Sequence, residues 1–538
     1  MKSMNFKITW LSMVVLMASC ISDLDPKSLG SKAVMGSAVY STKAEYLSAL
    51  AKLYASFAVS GQQGPAGNSD ISGLDEGFGV YLREYWNVQE LPTDEAVIAW
   101  NDQTVKNFHW QNWTANDVFI AAMYSRVMLT VTYCNEFIRN SAGSSDATIK
   151  QYHAEARFLR ALAYWHALDL FGNPPFVTEA DIPGAFNPKQ TNQEDLFNYL
   201  DGELQAIEND LANPGTVDYG HATKGALYML QAKLYLNAET YLGTGNKKYT
   251  ECITALNKLF AFSLSGSGSG AAGKYQLATN YLLNFAANNN TSPELIFTIN
   301  YDGAHTQSYG GMDYIIHAAI GGQMDPASFG TNAAWGGTRV TSAFVSKFAD
   351  PSGATDKRAK FFTNGQNLEI ADIGAFTDGY AITKFTNRTI PDGPAPSGNA
   401  SFVDTDFPMF RLADANLMLA EAFVRGGSGT DAATATTKLN EVIERGYNGS
   451  TAFDHSTLVA ASASDLADIL DERGRELYWE GHRRTDLIRY GLFTSGSYLW
   501  PWKGNVANGT GTPSYRNLYP IPSADRSANP TLEQNDGY

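Results

Sequence analysis

Apolar residues recur at helical spacing through AEARFLRALAYWHALDLFG (154–172), where Phe158, Ala161, Trp165, Leu168 and Phe171 share one stripe. Gly172, Pro174 and Pro175 close the segment, so the spacing predicts a helix with a defined end. KGALYMLQAKLYLNAETYLG (224–243) repeats the pattern with Leu227, Leu230, Leu234, Ala238 and Tyr241. FRLADANLMLAEAFVRGG (410–427) and DLADILDERGRELYWEGHRRTDLIRYG (465–491) do so again. Further helices are predicted over 43–59, 115–141, 193–212, 248–260 and 430–445. Helices paired by short turns predict a mainly α fold of tetratricopeptide-like repeats, although no period of about 34 residues runs through the chain.

Between the helices the texture changes. SLSGSGSGAAGK (263–274) and PDGPAPSGNA (391–400) are rich in Gly, Ser and Pro and predict loops. Residues 295–400 mix the strand-like runs LIFTIN and YAITKF with many glycines. The expected architecture is a helical scaffold carrying a loop-rich face and a few short strands, and such loops are where binding residues concentrate. GSGAAGK (268–274) imitates the start of a phosphate-binding loop. Tyr275, however, stands where Ser or Thr must meet Mg²⁺, and no clear strand precedes it. A plain loop is the better reading.

Charge narrows the partners. The 538-residue chain carries a net charge of −16, which disfavours a nucleic-acid backbone or an anionic membrane surface. Charged residues are 17%, below the usual level of about 25%, while aromatics reach 12%. Neutral polar ligands suit that balance. At the N-terminus, Lys2 and Lys7 precede the apolar run 8–19, too short to span a bilayer comfortably, which ends in LMASC. This reads as a lipoprotein signal over 1–19 with lipid on Cys20. Residues 20–538 are then one unit, with a helical part at 20–260 and a loop-rich insert plus a C-terminal helical part at 261–538. No later run has 18 uninterrupted apolar residues, so the lipid would be the only anchor. Cys134 and Cys252 read as buried free thiols. The eight histidines are scattered without zinc-ligand spacing, and no motif calls for a cofactor.

The chemistry concentrates in QELPTDEAVIAW (89–100), where Glu90, Asp94 and Glu95 precede Trp100. Pro92 to Glu95 reads as the opening of a short helix, with carboxylates at the positive end of the backbone dipoles. Glycoside cleavage needs two carboxyl groups facing each other roughly 5–9.5 Å apart, which neighbouring helical residues cannot provide. Trp100 fits either a core position or a flat platform for the C–H face of a sugar ring. Asn101, Asp102 and Gln103 beside it are suited to hydroxyl groups. In RELYWEGHRRTDLIRYG (475–491), Arg483, Arg484, Asp486 and Arg489 read as structural charges, with Leu477, Leu487 and Ile488 in the core.

Several motifs together resemble the SusD (RagB/SusD-like) family of surface glycan-binding lipoproteins: CISDLD (20–25), LDEG (74–77), ELPTDE (90–95), AEARFLRALAYWHALDLFG, FPMFRLADANLMLAEA (407–422), RGRELYWEGHRRTDLIRYGLF (473–493) and YPIP (519–522). The tail YLWPWKGNVANGT (498–510) is closest to the family's starch-binding member. The resemblance implies a tetratricopeptide-like helical fold, no enzymatic activity, an outer-membrane position at the cell surface, and a partner in a SusC-like TonB-dependent transporter barrel. It further implies starch or maltooligosaccharide as ligand, held by an arc of Trp100, Tyr309 and Trp335, with Arg83, Asn101 and Asp75 as polar contacts. The sequence departs from the family after Trp100, where WNDQ displaces the sugar-bonding asparagine, so Asn101 or Gln103 takes over. A binder of another glycan and a glycoside hydrolase acting on α-glucan are the alternatives. If Cys20 carries the whole attachment, Cys20→Ala releases the protein from the outer membrane. Fractionation of cells lacking the transporter that still finds the variant membrane-bound contradicts the anchor.

Overall fold

The computed structural model describes residues 39–181, 184 and 186–538; the leader and Cys20 lie outside them. Contacts separate Met1–Ala49 from Leu50–Tyr538, and the candidate site lies wholly within the second unit. Helices form where the apolar stripes lie: α1 (Lys43–Ala58), α2 (Tyr81–Glu90), α3 (Val118–Ser141), α4 (Ala147–Phe171), α5 (Gln193–Ile207), α6 (Lys224–Leu236) and α7 (Tyr249–Phe260). After the short α8 (Met312–Ala318) come α9 (Leu412–Val424), α10 (Ala432–Gly446), α11 (Ala463–Leu477) and α12 (Arg483–Arg489). Asp117 and Asp146 start α3 and α4, each carboxylate accepting two backbone N–H groups of the first turn. The long helices pack as sequential pairs: α3 on α4, α4 on α5, α6 on α7, α9 on α10. The α7–α9 contact joins the two halves, giving the stacked-hairpin, mainly helical arrangement expected. Cys134 and Cys252 are buried free thiols.

Four details differ from expectation. All ten residues of α2 are buried, its polar Arg83, Glu84, Asn87 and Glu90 included, and no helix is predicted there from the sequence. The pattern 465–491 is two helices, because Trp479 (φ 66°) and Gly481 (φ 80°) break it. At Asn237 the 224–243 pattern also breaks: its side chain bonds the Lys233 carbonyl at 2.8 Å and competes with the helix. Within the expected loop 263–274, Ser263–Gly268 pairs with Tyr275–Ala278 as a short parallel ladder.

The loop-rich insert hangs from a narrow neck. Strands β2 (Leu295–Ile299) and β4 (Phe407–Arg411) pair antiparallel, from Leu295 opposite Arg411 to Ile299 opposite Phe407. Arg411 is the electrostatic anchor of that neck. It is fully buried and pairs with Glu294 at 2.7 Å, Glu476 at 2.5 Å and Glu480 at 2.6 Å. Burying charges costs several kcal/mol each, so they persist only as closed sets of partners. Around α12, Arg473 binds Asp486 (2.7 Å) and Asp414 (2.9 Å), and Arg489 binds Glu421 (2.7 Å). Arg483 grips both oxygens of Asp94 at 2.8 and 2.9 Å.

The charges of 475–491 therefore hold helices together, and Leu477 and Leu487 are in the core as expected. Ile488 is not. It is half-buried and lines an 850 Å³ cavity between 189–193 and the segment 514–536. Fully buried Arg484 binds Asp169 at 2.9 Å and the carbonyl of Asn517. Arg484→Ala leaves Asp169 buried beside a void, and loses about 3–5 kcal/mol of stability with ligand affinity of the folded fraction unchanged. Chemical denaturation with calorimetry checks this; a large affinity loss at constant stability would place a ligand there.

Candidate functional site

The site begins with a two-residue ladder. Strand β1 (Val97–Ile98) pairs antiparallel with β3 (Thr338–Arg339), Val97 opposite Arg339 and Ile98 opposite Thr338. Ala99 N–H extends it to the Gly337 carbonyl at 2.8 Å. That register carries Trp100 across from the Trp335–Gly337 backbone. The indole N–H of Trp100 donates to the Trp335 carbonyl at 3.0 Å, and the two rings lie 6.4 Å apart, inclined by 43°. A Cβ at position 337 would stand 2.8 Å from the Trp100 ring, so only glycine admits this approach.

The short helix α8 sets the spacing of everything else. A helix end leaves carbonyls unpaired, and here N–H groups of the tryptophan segment take them. Trp335 donates to His317 O (3.0 Å), Gly336 to Ile320 O (2.8 Å) and Gly337 to Ala318 O (2.8 Å). Trp335 thus sits at the C-terminal end of α8, stacked at 4.7 Å on His317, whose pKa burial lowers so that its ring is neutral. Tyr309 stands just before the N-terminal end, 38% exposed, its ring 5.2 Å from Phe402. Seven residues of helix separate these ends by about 10 Å.

Between them lies Arg83, from α2. Its guanidinium is 4.5 Å from the Tyr314 ring of α8 and 5.7 Å from the Trp100 ring. Only 8% of the residue is exposed, Nε is buried without a partner, and among the described residues the group makes no hydrogen bond or ion pair. Buried donors are normally satisfied, so this one is held in reserve. Asp75 is exposed nearby: a Cβ at Gly77 would lie 3.4 Å from its carboxylate, 3.6 Å from Arg83 and 3.8 Å from the Tyr309 Cβ. Asp75 also accepts the N–H groups of Gly77 and Phe78, which shapes the turn. Asn101 is exposed beside Trp100, and Lys106 Nζ donates to its Oδ1 at 2.6 Å, leaving the amide N–H groups outward.

Arg83, Trp100, Asn101 and Trp335 are therefore one cluster, and Asp75 and Tyr309 meet at Gly77 on its flank. Tyr314 and His317, which back the two tryptophan rings, were hidden in the apolar run MDYIIHA (312–318). Trp100 and Trp335 are half-buried rather than freely exposed, so their removal lowers stability as well as any affinity. The face reaches the surface at Tyr309, Asn101 and Asp75, all exposed.

The carboxylates preceding Trp100 are not helical caps. Glu90 ends α2, and Asp94 and Glu95 follow it in a buried turn. Asp94 is spent on Arg483 and on the Tyr498 hydroxyl (2.6 Å), which bring its pKa down to about 2 against the opposing effect of burial. Glu90 accepts the Gly481 N–H at 2.5 Å and Glu95 the Trp479 N–H at 3.1 Å. Burial pushes Glu90 up to about 7 and Glu95, with Glu90 beside it, well above its usual range. Two carboxyls side by side inside the protein have no room for a glycosidic bond between them.

Comparison with known proteins agrees with the fold. The SusD family profile matches residues 356–538. The starch-binding protein SusD of Bacteroides thetaiotaomicron is 34% identical, covering 97% of this chain and 96% of that protein. SusD-like protein P25 of Formosa agariphila is 24% identical over 74% of each. Among solved structures, a SusD homolog from Bacteroides thetaiotaomicron superposes with TM-score 0.71 at 18% identity over 94% of this chain and 98% of that one. A surface glycan-binding protein A from the same species, in complex with laminarihexaose, gives 0.65 at 18% over 91% and 99%.

The Glu90–Glu95 pair makes a signed prediction. Its folded pKa lies above the unfolded value, so its stabilisation is complete below about pH 4.5 and is lost as pH rises to about 7. Glu90→Gln keeps an acceptor for Gly481 N–H and offers N–H to Glu95. The decline in stability between pH 5 and 7 should then flatten, by about 1.4 kcal/mol per pH unit at most. Denaturant melts at stepped pH read this directly; unchanged slopes contradict the raised carboxyl pair.

Proposed function

The chain belongs to the SusD family of non-catalytic glycan-binding proteins, and from that premise we propose that it holds starch or maltooligosaccharide chains on the Trp100–Trp335 face. The unspent Arg83 guanidinium beside two inclined tryptophan rings carries this reading. Flat rings stack on the C–H faces of sugars at little entropy cost, and Arg83 and Asn101 supply donors for hydroxyl groups at the edge. The 43° inclination favours an α-glucan, because coplanar platforms suit a flat β-linked chain and inclined ones suit a curved α-linked chain. Tyr309, about a helix length away, takes a further unit of the same curved chain. Likeness over nearly the whole length to a protein named for starch binding supports the same choice.

The bound chain is then passed to a SusC-like TonB-dependent transporter barrel in the outer membrane, to which lipid on Cys20 tethers this protein. An open face serves that role better than a closed pocket, since the ligand must leave sideways.

Calorimetry tests the reading with maltoheptaose, cellohexaose and laminarihexaose. Wild type binds maltoheptaose and rejects the two β-linked chains. Trp100→Ala and Trp335→Ala each lose about 1–2 kcal/mol, roughly tenfold or more, and Arg83→Met loses a comparable amount with the ring platform intact. Equal binding of all three sugars, or full affinity in Trp335→Ala, overturns the α-glucan assignment.

A further inference from the structure

The loop from Asn367 to Gly379 brings one more ring to this face. Phe376 is half-buried and packs on backbone rather than on other rings. A Cβ at Gly321 would lie 2.6 Å from its Cε1, and one at Gly336 3.8 Å from its Cγ. Gly336 directly follows Trp335, so Phe376 borders the tryptophan segment one residue before Gly337, which Trp100 crowds.

The ring is presented rigidly. Asp378 accepts the N–H groups of Ala371 (3.0 Å) and Asp372 (2.8 Å), folding the loop on itself. Buried Arg339, four residues beyond Trp335, donates to the carbonyls of Asp378 (2.9 Å) and Ile373 (3.0 Å). The loop and the Trp335 segment are thereby one body. Ile370 and Ile373 sink into an apolar cluster with Val97, while Phe376 stays outside it. Phe376 is thus a flat apolar ring, partly exposed beside the Trp335 backbone, on a loop pinned to that backbone by Arg339.

We propose that Phe376 is a fourth stacking subsite, taking the next unit of a neutral glycan that extends past Trp335. The proposal rests on the α-glucan reading of the Trp100–Trp335 face and gives that face a longer ligand. The loop then selects for chain length, since a short oligosaccharide is satisfied by the tryptophan pair and never reaches Phe376.

Calorimetry of wild type, Phe376→Ala and Phe376→Tyr against maltotriose and maltoheptaose tests it, with melting temperatures read alongside. Phe376→Ala should bind maltotriose as wild type does and maltoheptaose roughly threefold to tenfold more weakly. Phe376→Tyr keeps the flat ring and should restore the preference for the longer chain. If wild type binds maltoheptaose and Phe376→Ala binds it equally well, the subsite is overturned and the tryptophan face stands. Equal weakening toward both sugars overturns it too, by showing a general effect on the face. A wild type that binds neither sugar overturns the α-glucan reading along with the subsite.

Discussion

The bidentate pair between Asp94 and Arg483 is the joint on which the site depends. It ties the turn after α2 to α12, across nearly four hundred residues of chain, inside the protein. Three residues after Asp94 the chain enters β1, and three beyond that it presents Trp100. Around the joint, Thr341 Oγ1 donates to the Asp94 carbonyl and Tyr498 to its carboxylate. Trp479 fills the space between through bonds to Glu95 and a T-shaped contact with Trp86. The carboxylates that look catalytic in the sequence are thus the clamp that holds the binding surface in register.

The rest of the face follows from α8. Its C-terminal carbonyls need donors, and the Trp335–Gly337 backbone supplies them; its N-terminal end follows Tyr309; its middle presents Tyr314 to Arg83 and Trp100. One short helix therefore spaces three aromatic residues drawn from distant parts of the chain. Loops so tied lose little freedom when a ligand arrives, which suits a protein whose individual sugar contacts are weak.

How much of this was legible in the sequence depends on the physical signal each part leaves. Long amphipathic helices such as α3, α7 and α10 print their stripe on the chain and were readable to within a few residues. The break at Trp479 leaves none, because an αL tryptophan is fixed only by its tertiary partners, and in α2 the polar Arg83, Glu84, Asn87 and Glu90 lie inside the protein instead of facing solvent. Trp100, Tyr309, Trp335 and Arg83 came from family resemblance rather than pattern. The inclination of the rings, the reserve donors of Arg83 and the place of Phe376 are products of long-range pairing, above all the register of β1 with β3. Asp94 and Glu95 show the opposite case: their local sequence reads as the opening of a helix, whereas the partners that decide their role lie almost four hundred residues away.

The most direct test is a crystal structure of the protein with maltoheptaose. The account requires glucosyl units stacked on Trp100 and Trp335, a hydroxyl within hydrogen-bond reach of Arg83, and the chain curving toward Tyr309. Sugar seated instead in the 850 Å³ cavity beside Ile488 and the segment 514–536, with the tryptophan face bare, would contradict it.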